Sequence, residues 1–178
     1  LLNDQEYAVI TRENITFYDE QLHPFEKKYQ RIDWDATAAE KNGYPDFMLK
    51  EMYEQPSTVR ETIGTRVTAG APTQVDGLDF TAAQLQNLHQ IYIIGCGTAM
   101  HAGLAAKPMF EHLTHIPTQV DVASEFRYRD PLVDDRTLCI FISQSGETAD
   151  TIAALRLAKA AGAATLAVSN VIGSSITR

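Results

Sequence analysis

Cysteine, positive charge and long apolar runs are all scarce in this chain, and each shortage closes off a class of function. The only cysteines are Cys96 and Cys139, with no spaced set of histidines beside them. They make neither a disulfide framework nor a zinc cluster, and a reducing cytoplasm is the expected setting. His112 and His115 are expected on one helix face, but two ligands do not make a metal site. Fifteen Lys and Arg stand against 23 Asp and Glu, a net charge of −8. Nucleic-acid binding through a general positive field is therefore not expected. No stretch is apolar for long enough to span a bilayer, and the first residues lack the basic-then-apolar order of a signal peptide, so no membrane partner is expected. There is no internal repeat or low-complexity tract.

What is present divides into two styles of sequence. The chain begins at Leu1 rather than Met, and "EYAVIT" (6–11), "RENI" and "TFYD" (16–19) read as a β-hairpin. A lone hairpin is marginal in water, and no further antiparallel strand is evident nearby, so it reads as the tail of a larger sheet domain. Residues 20–45 are polar and weakly periodic and read as a linker, with Trp34 either pinned to a surface or packed in a loop. "DFMLKEMYEQP" (46–56) is a short amphipathic helix with Asp46 as its N-cap, and Pro56 is expected to break it and open a second helix. "GAPTQVDG" (70–77) reads as a loop, and "TAAQLQNL" (81–88) as a short helix capped by Thr81.

From residue 90 the pattern changes. "QIYIIG" (90–95), "TQVDVA" (118–123), "TLCIFIS" (137–143) and "ATLAVSN" (164–170) are compact apolar runs. Helical stretches over 98–113 and 147–161 separate them, the second stopped by Gly162. Strands alternating with helices at this spacing predict βαβ units, a parallel sheet and an α/β fold. The chain ends soon after the fourth strand, so the sheet is expected to be incomplete and the chain truncated at both ends.

In a parallel sheet the ligand crevice lies beyond the carboxyl ends of the strands. Two loops of unusual composition belong there: "GCGTAMHAG" (95–103) and "SQSGET" (143–148). Both precede a helix, whose free N–H groups and partial positive charge bind phosphate without a cationic side chain. Thr98, Ser143, Ser145 and Thr148 add hydroxyl donors, and Gly97 and Gly146 allow close approach to the backbone. The competing reading makes Ser145 simply the N-cap of its helix.

Other sites fit less well. The dinucleotide pattern G-x-G-x-x-G fails at its third glycine, where Met100 stands, although Asp121 could serve as the ribose-binding acid. A nucleophile elbow would need G-x-S-x-G, and Ser145 is flanked instead by Ser143 and Glu147. Cys96 reads as a small residue lining the loop and Cys139 as core.

"GCGTAMHAG", "ASEFRYRDP" (123–131) and "SQSGETADT" (143–151) closely resemble the sugar isomerase (SIS) domain of the glutamine–fructose-6-phosphate aminotransferase family, the glucosamine-6-phosphate synthases. "FMLKEMYEQP" (47–56) resembles the segment joining the glutaminase and isomerase parts of that family. The resemblance covers nearly the whole chain. It implies a glutaminase tail at 1–22, a linker at 23–45 and a first SIS domain at 46–178. The fold would be a three-layer, flavodoxin-like parallel-sheet sandwich, incomplete, after a hairpin remnant and helical linker.

The resemblance also implies an aminotransferase that turns fructose 6-phosphate and glutamine into glucosamine 6-phosphate and glutamate. Ammonia would come from a glutaminase domain. The assembly would be a cytoplasmic homodimer with no metal or other cofactor. Phosphate would be held by Thr98, Ser143, Gln144, Ser145 and Thr148, with Cys96 and Gly97 at sugar-contacting positions. Many relatives carry serine where Ala99 stands, so one phosphate contact is missing here. The family's catalytic residues match nothing in this chain, which alone is expected to lack synthase activity. A sugar-phosphate sensor without chemistry is the alternative that the same motifs allow.

Overall fold

The computed structural model describes residues 2–28, 40–64, 66–67, 78 and 80–178. Trp34 and the loop expected at 70–77 lie outside the described residues. The chain divides into two compact units, Leu1–Thr73 and Gln74–Arg178.

In the first unit, β1 (Tyr7–Ile10) and β2 (Ile15–Tyr18) form the expected antiparallel hairpin, with Tyr7 opposite Tyr18 and Ile10 opposite Ile15. Thr11 closes the turn: its Oγ1 accepts from Asn14 N at 2.9 Å. A third strand was not foreseen. β3 (Pro24–Phe25) pairs with β2, inside the stretch read as linker. Asp19 makes this return possible, because its Oδ1 accepts from Gln21 N at 3.0 Å and His23 N at 2.8 Å. That is an Asx turn, and the proline sits on an edge where no ladder donor is needed. Lys27 then donates to Glu6 and holds the carboxyl down at about 2, against the usual 4.5.

The same unit corrects the expectation for Pro56. A single helix, α1 (Phe47–Gly64), runs through it. Asp46 does cap the start, accepting from Leu49 N at 2.8 Å. The proline ring removes the N–H that would bond the Met52 carbonyl, and Met52 is exposed, so the lost bond falls on the open side of the helix. Ser57 and Thr58 hydroxyls both donate to the Glu54 carbonyl beside it. A proline at an exposed turn thus costs stability without ending the helix.

The second unit is a four-stranded parallel sheet of β4 (Gln90–Gly95), β5 (Thr118–Val122), β6 (Thr137–Ser143) and β7 (Ala164–Ser169), in the order β5-β4-β6-β7. Before it, α2 (Ala82–Asn87) starts at Thr81 in a full capping box with Gln84. Between the strands lie α3 (Thr98–Thr114), α4 (Ala123–Tyr128) and α5 (Ala149–Ala160).

The sheet is covered on both faces, which is why its strands read as unbroken apolar runs. Ile91, Ile93, Leu138 and Ile140 face one side, against Phe80, Leu88 and Phe110. Tyr92, Ile94, Cys139 and Phe141 face the other, against Phe126, Ala154, Ala158 and Ile176. Full burial pushes the Cys139 thiol up to about 12, as expected of a core cysteine.

Three details depart from expectation. Residues 123–128 form α4, a helix not expected from the sequence pattern, whose Ala123 and Phe126 are fully buried one turn apart. Phe126 meets Tyr92 edge-on at 5.5 Å. α5 begins at Ala149 instead of 147. A short 3-10 turn at Ser175–Thr177 plants Ile176 in the core.

α3 approaches the sheet closely at Gly103, where a Cβ would come within 2.8 Å of Ile93 Cγ2 and 3.2 Å of Val120 Cγ1. Gly103→Ala gains about 1 kcal/mol of helix propensity. Overpacking a buried contact costs about 1–3 kcal/mol. The variant is therefore expected to unfold at lower urea concentration; an unchanged or raised midpoint would show that Ile93 and Val120 give way freely.

The Glu6–Lys27 pair has a defined pH window. Its carboxyl is depressed, so its contribution is full above 4.5 and fades as pH falls through about 2. An NMR titration of Glu6 should show a midpoint near about 2, returning toward 4.5 in Lys27→Met. A midpoint that Lys27→Met leaves unmoved would break the assignment.

Candidate functional site

β4 and β6 are direct neighbours in parallel, with Gly95 opposite Ile142. The loops that leave their carboxyl ends therefore open side by side. The chain goes from β4 outward to β5 and then crosses back to β6, so this is the point where strand order reverses and a crevice opens.

Gly95 fixes the first loop. A Cβ there would stand 3.1 Å from the Ile142 carbonyl oxygen, Ala99 C and Met100 N. Gly97 is the N-cap of α3, at φ 56° and ψ −128°, a backbone region that other residues rarely enter. Nothing lies within 4 Å of where its Cβ would be, so the loop backbone is open to a ligand. Gly97 and Thr98 are exposed, and α3 starts without a side-chain cap. Cys96 is half-buried, its Sγ 3.8 Å from the hydroxyl of the buried Thr151 of α5, and so the two helix starts touch.

The second loop is built by its own hydroxyls. Ser143 Oγ accepts from Gly146 N at 3.0 Å and lies 3.3 Å from Thr148 Oγ1. Ser143 is buried, so its hydroxyl shapes the loop from inside. Ser145 is half-buried, and its Oγ accepts from Glu147 N at 3.2 Å. Ser145 is not the N-cap. That position belongs to Thr148, whose side chain makes no capping bond. The starts of both α3 and α5 are thus left without side-chain caps, with Thr98, Ser145 and Thr148 around them. Gln144 is exposed, and its carbonyl accepts from Asn170 N at 3.3 Å.

The chain beyond β7 braces this loop, a feature the sequence reading missed. Gly146, at φ +68°, packs so tightly that a Cβ would fall 2.1 Å from Ser174 Oγ. Ile176 N donates to the Gly146 carbonyl at 3.0 Å. Ser175 N donates to Glu147 Oε1 at 2.8 Å, and the Ser175 hydroxyl and N–H hold that carboxyl below the usual range. The signal was a lone isoleucine between hydroxyl residues in "GSSITR", too little to predict docking.

Two arginines flank the crevice on α4 and just after it. Arg127 Nη1 donates to Asp150 Oδ1 in the first turn of α5 at 2.8 Å. Arg129 pairs with Asp121 at the end of β5, whose Oδ1 accepts from Val122 N at 2.9 Å. Asp121 is thus taken up within the protein and is not presented to a ribose. Among the described residues no cluster of three or more His, Cys, Asp or Glu forms a metal site. Nor is any described helix long and apolar enough to cross a membrane. His112 belongs to the last turn of α3, whereas His115 falls just outside the helix, at its C-cap in a left-handed conformation.

The arrangement can hold a dianion with neutral donors. Two helix starts follow adjacent strand ends, each with the partial positive charge of a helix N-terminus, and the hydroxyls beside them rotate to fit.

Comparison with known proteins gives the chain a family. The SIS domain family matches residues 84–178. A glutamine–fructose-6-phosphate aminotransferase [isomerizing] of Clostridium acetobutylicum is 51% identical over 99% of this chain, and one of Thermus thermophilus is 45% identical over 99%. The chain spans 29% of the length of each of these curated relatives. Among solved structures, the C-terminal domain of glucosamine-fructose-6-phosphate aminotransferase from Francisella tularensis superposes with a TM-score of 0.67 at 40% identity, covering 78% of this chain and 38% of that one. A putative phosphosugar isomerase from Clostridium difficile gives a TM-score of 0.57 at 25% identity, over 73% of this chain and 34% of that one. With the three-layer parallel sheet and the family match over more than half of its residues, the chain belongs to the SIS domain family.

Proposed function

We propose that this chain is the hexose-6-phosphate-binding part of a glucosamine-6-phosphate synthase. The whole enzyme would convert fructose 6-phosphate and glutamine into glucosamine 6-phosphate and glutamate. The observation that carries the reading is the pair of helix starts without side-chain caps on adjacent strands, ringed by hydroxyls and free of lysine and arginine in both loops. Such a site suits a phosphate whose charge is met by backbone dipoles. The relatives' names supply the substrate.

In this reading Thr98, Gln144, Ser145 and Thr148 face the phosphate, with Ser143 shaping the loop. Cys96 and Gly97 line the sugar side. Ala99, in the first turn of α3, adds no hydroxyl. No residue of the chain takes an acid–base role, so its contribution is binding and orientation. Residues 1–22 would be the tail of a glutaminase domain that supplies ammonia, 23–45 a linker and 46–178 the first SIS domain. The pairing of β3 with β2 carries the tail's sheet on to Phe25. A cytoplasmic homodimer completes the proposal.

An amide NMR titration tests it, with NAD as the comparison ligand. Fructose 6-phosphate is expected to shift resonances at 95–99 and 143–148, and NAD to leave them in place. If NAD alone moved them, the phosphosugar reading would be wrong.

Ser145→Ala combined with Thr148→Ala is expected to weaken fructose 6-phosphate binding by about 1–3 kcal/mol, the range for hydrogen bonds to a charged group. The variant also loses the Glu147 N–Ser145 Oγ bond and the Thr148–Ser143 contact, so a modest fall in melting temperature should accompany the lost affinity. Full affinity with a clearly lowered melting temperature would return these hydroxyls to a purely structural role.

A further inference from the structure

We infer that Arg127 is a positioning residue for the anion end of this site: by pairing with Asp150, it keeps that carboxylate from competing with a phosphate for the start of α5. The inference rests on the phosphosugar reading above.

Asp150 lies in the first turn of α5, just beyond the N-cap Thr148. A carboxylate there is drawn to the positive end of the helix, the same partial charge that a phosphate would use. Left alone, it occupies that field and repels an incoming dianion. Nothing in the 143–148 loop carries a positive charge to offset it.

The compensating charge comes from another element. Arg127 reaches from α4, with Nη1 2.8 Å from Asp150 Oδ1. Its guanidinium also lies 4.6 Å from the centroid of the Tyr128 ring, which limits its orientation. α4 is a firm base for this arm, since Phe126 beside Arg127 is fully buried. The other carboxylate of the region, Glu147, is likewise engaged from outside the loop, by Ser175. Both acids beside the loop thus have partners outside it. Side-chain exposures of 31% for Arg127 and 42% for Asp150 leave the pair partly hydrated, so its effect on binding is several-fold and not total.

The test is a double-mutant cycle on the full chain with Arg127→Gln, Asp150→Asn and both together. Fructose 6-phosphate and, separately, inorganic phosphate are titrated at low and high ionic strength, and the melting temperature of each variant is recorded. Arg127→Gln is expected to weaken both ligands about three- to tenfold at low salt, with the loss shrinking as salt screens the freed carboxylate. Asp150→Asn should bind at least as well as the unsubstituted chain. The double variant should recover to within about twofold of the unsubstituted chain, because the charge that Arg127 offsets is gone.

A double variant as weak as Arg127→Gln would overturn the inference. Arg127 would then touch the ligand directly or serve folding alone. Unchanged affinity in Arg127→Gln, with the unsubstituted chain binding normally, overturns it while sparing the phosphosugar reading. Absence of binding by the unsubstituted chain overturns both.

Discussion

The parallel pairing of β4 with β6 is the constraint on which the site depends. Right-handed crossovers force it to have consequences. The chain leaves β4 through α3 toward β5 on one side, then returns to β6 on the other. Repeating the same hand in opposite directions places α3 over one face of the sheet and α4 and α5 over the other. The ends of β4 and β6 are then the place where neighbouring helices diverge, and the two loops face a shared gap. Parallel strands buried on both faces keep that edge rigid.

Glycines translate the constraint into close approach. At Gly95 the strand end, the Ile142 carbonyl and the first turn of α3 come within contact distance of one another. Gly103 lets the helix settle on Ile93 and Val120, a role that the third glycine of a dinucleotide motif would have held nearer the helix start. At Gly146 the close neighbour is Ser174, so the loop is braced by the chain beyond β7 and not by its own helix. Two of that loop's own N–H groups, at Gly146 and Glu147, are taken by the hydroxyls of Ser143 and Ser145, so its shape is fixed from within as well.

The electrostatics run against the overall balance of the molecule. The chain is strongly acidic, and both carboxylates nearest the crevice could oppose an anion. Screening at physiological salt confines such effects to about 8 Å, so local donors outweigh net charge. Locally, Glu147 is held by Ser175 and Asp150 by Arg127, while Asp121 is held by Arg129. The crevice is left with helix starts, hydroxyls and polar backbone.

The sequence by itself determined the elements and the chemistry of the loops. Apolar runs at 90–95 and 137–143 coincide with β4 and β6, and "SQSGET" carries its hydroxyls and glycine in plain view, because strand burial and loop composition are local properties. Capping was legible where partners are three residues apart, as at Thr81 with Gln84 and Asp46 with Leu49. It was misread at Pro56, where exposure lets a helix absorb a lost bond, while the N-cap of α5 falls to Thr148 and sets aside the competing reading of Ser145. Only the tertiary structure decided what joins distant residues: β3 returning to β2, Ile176 and Ser175 bracing the loop, and Arg127 reaching Asp150. These contacts have no periodicity to betray them. They arise when crossovers and docking bring separate segments within a few ångströms, which no local pattern encodes.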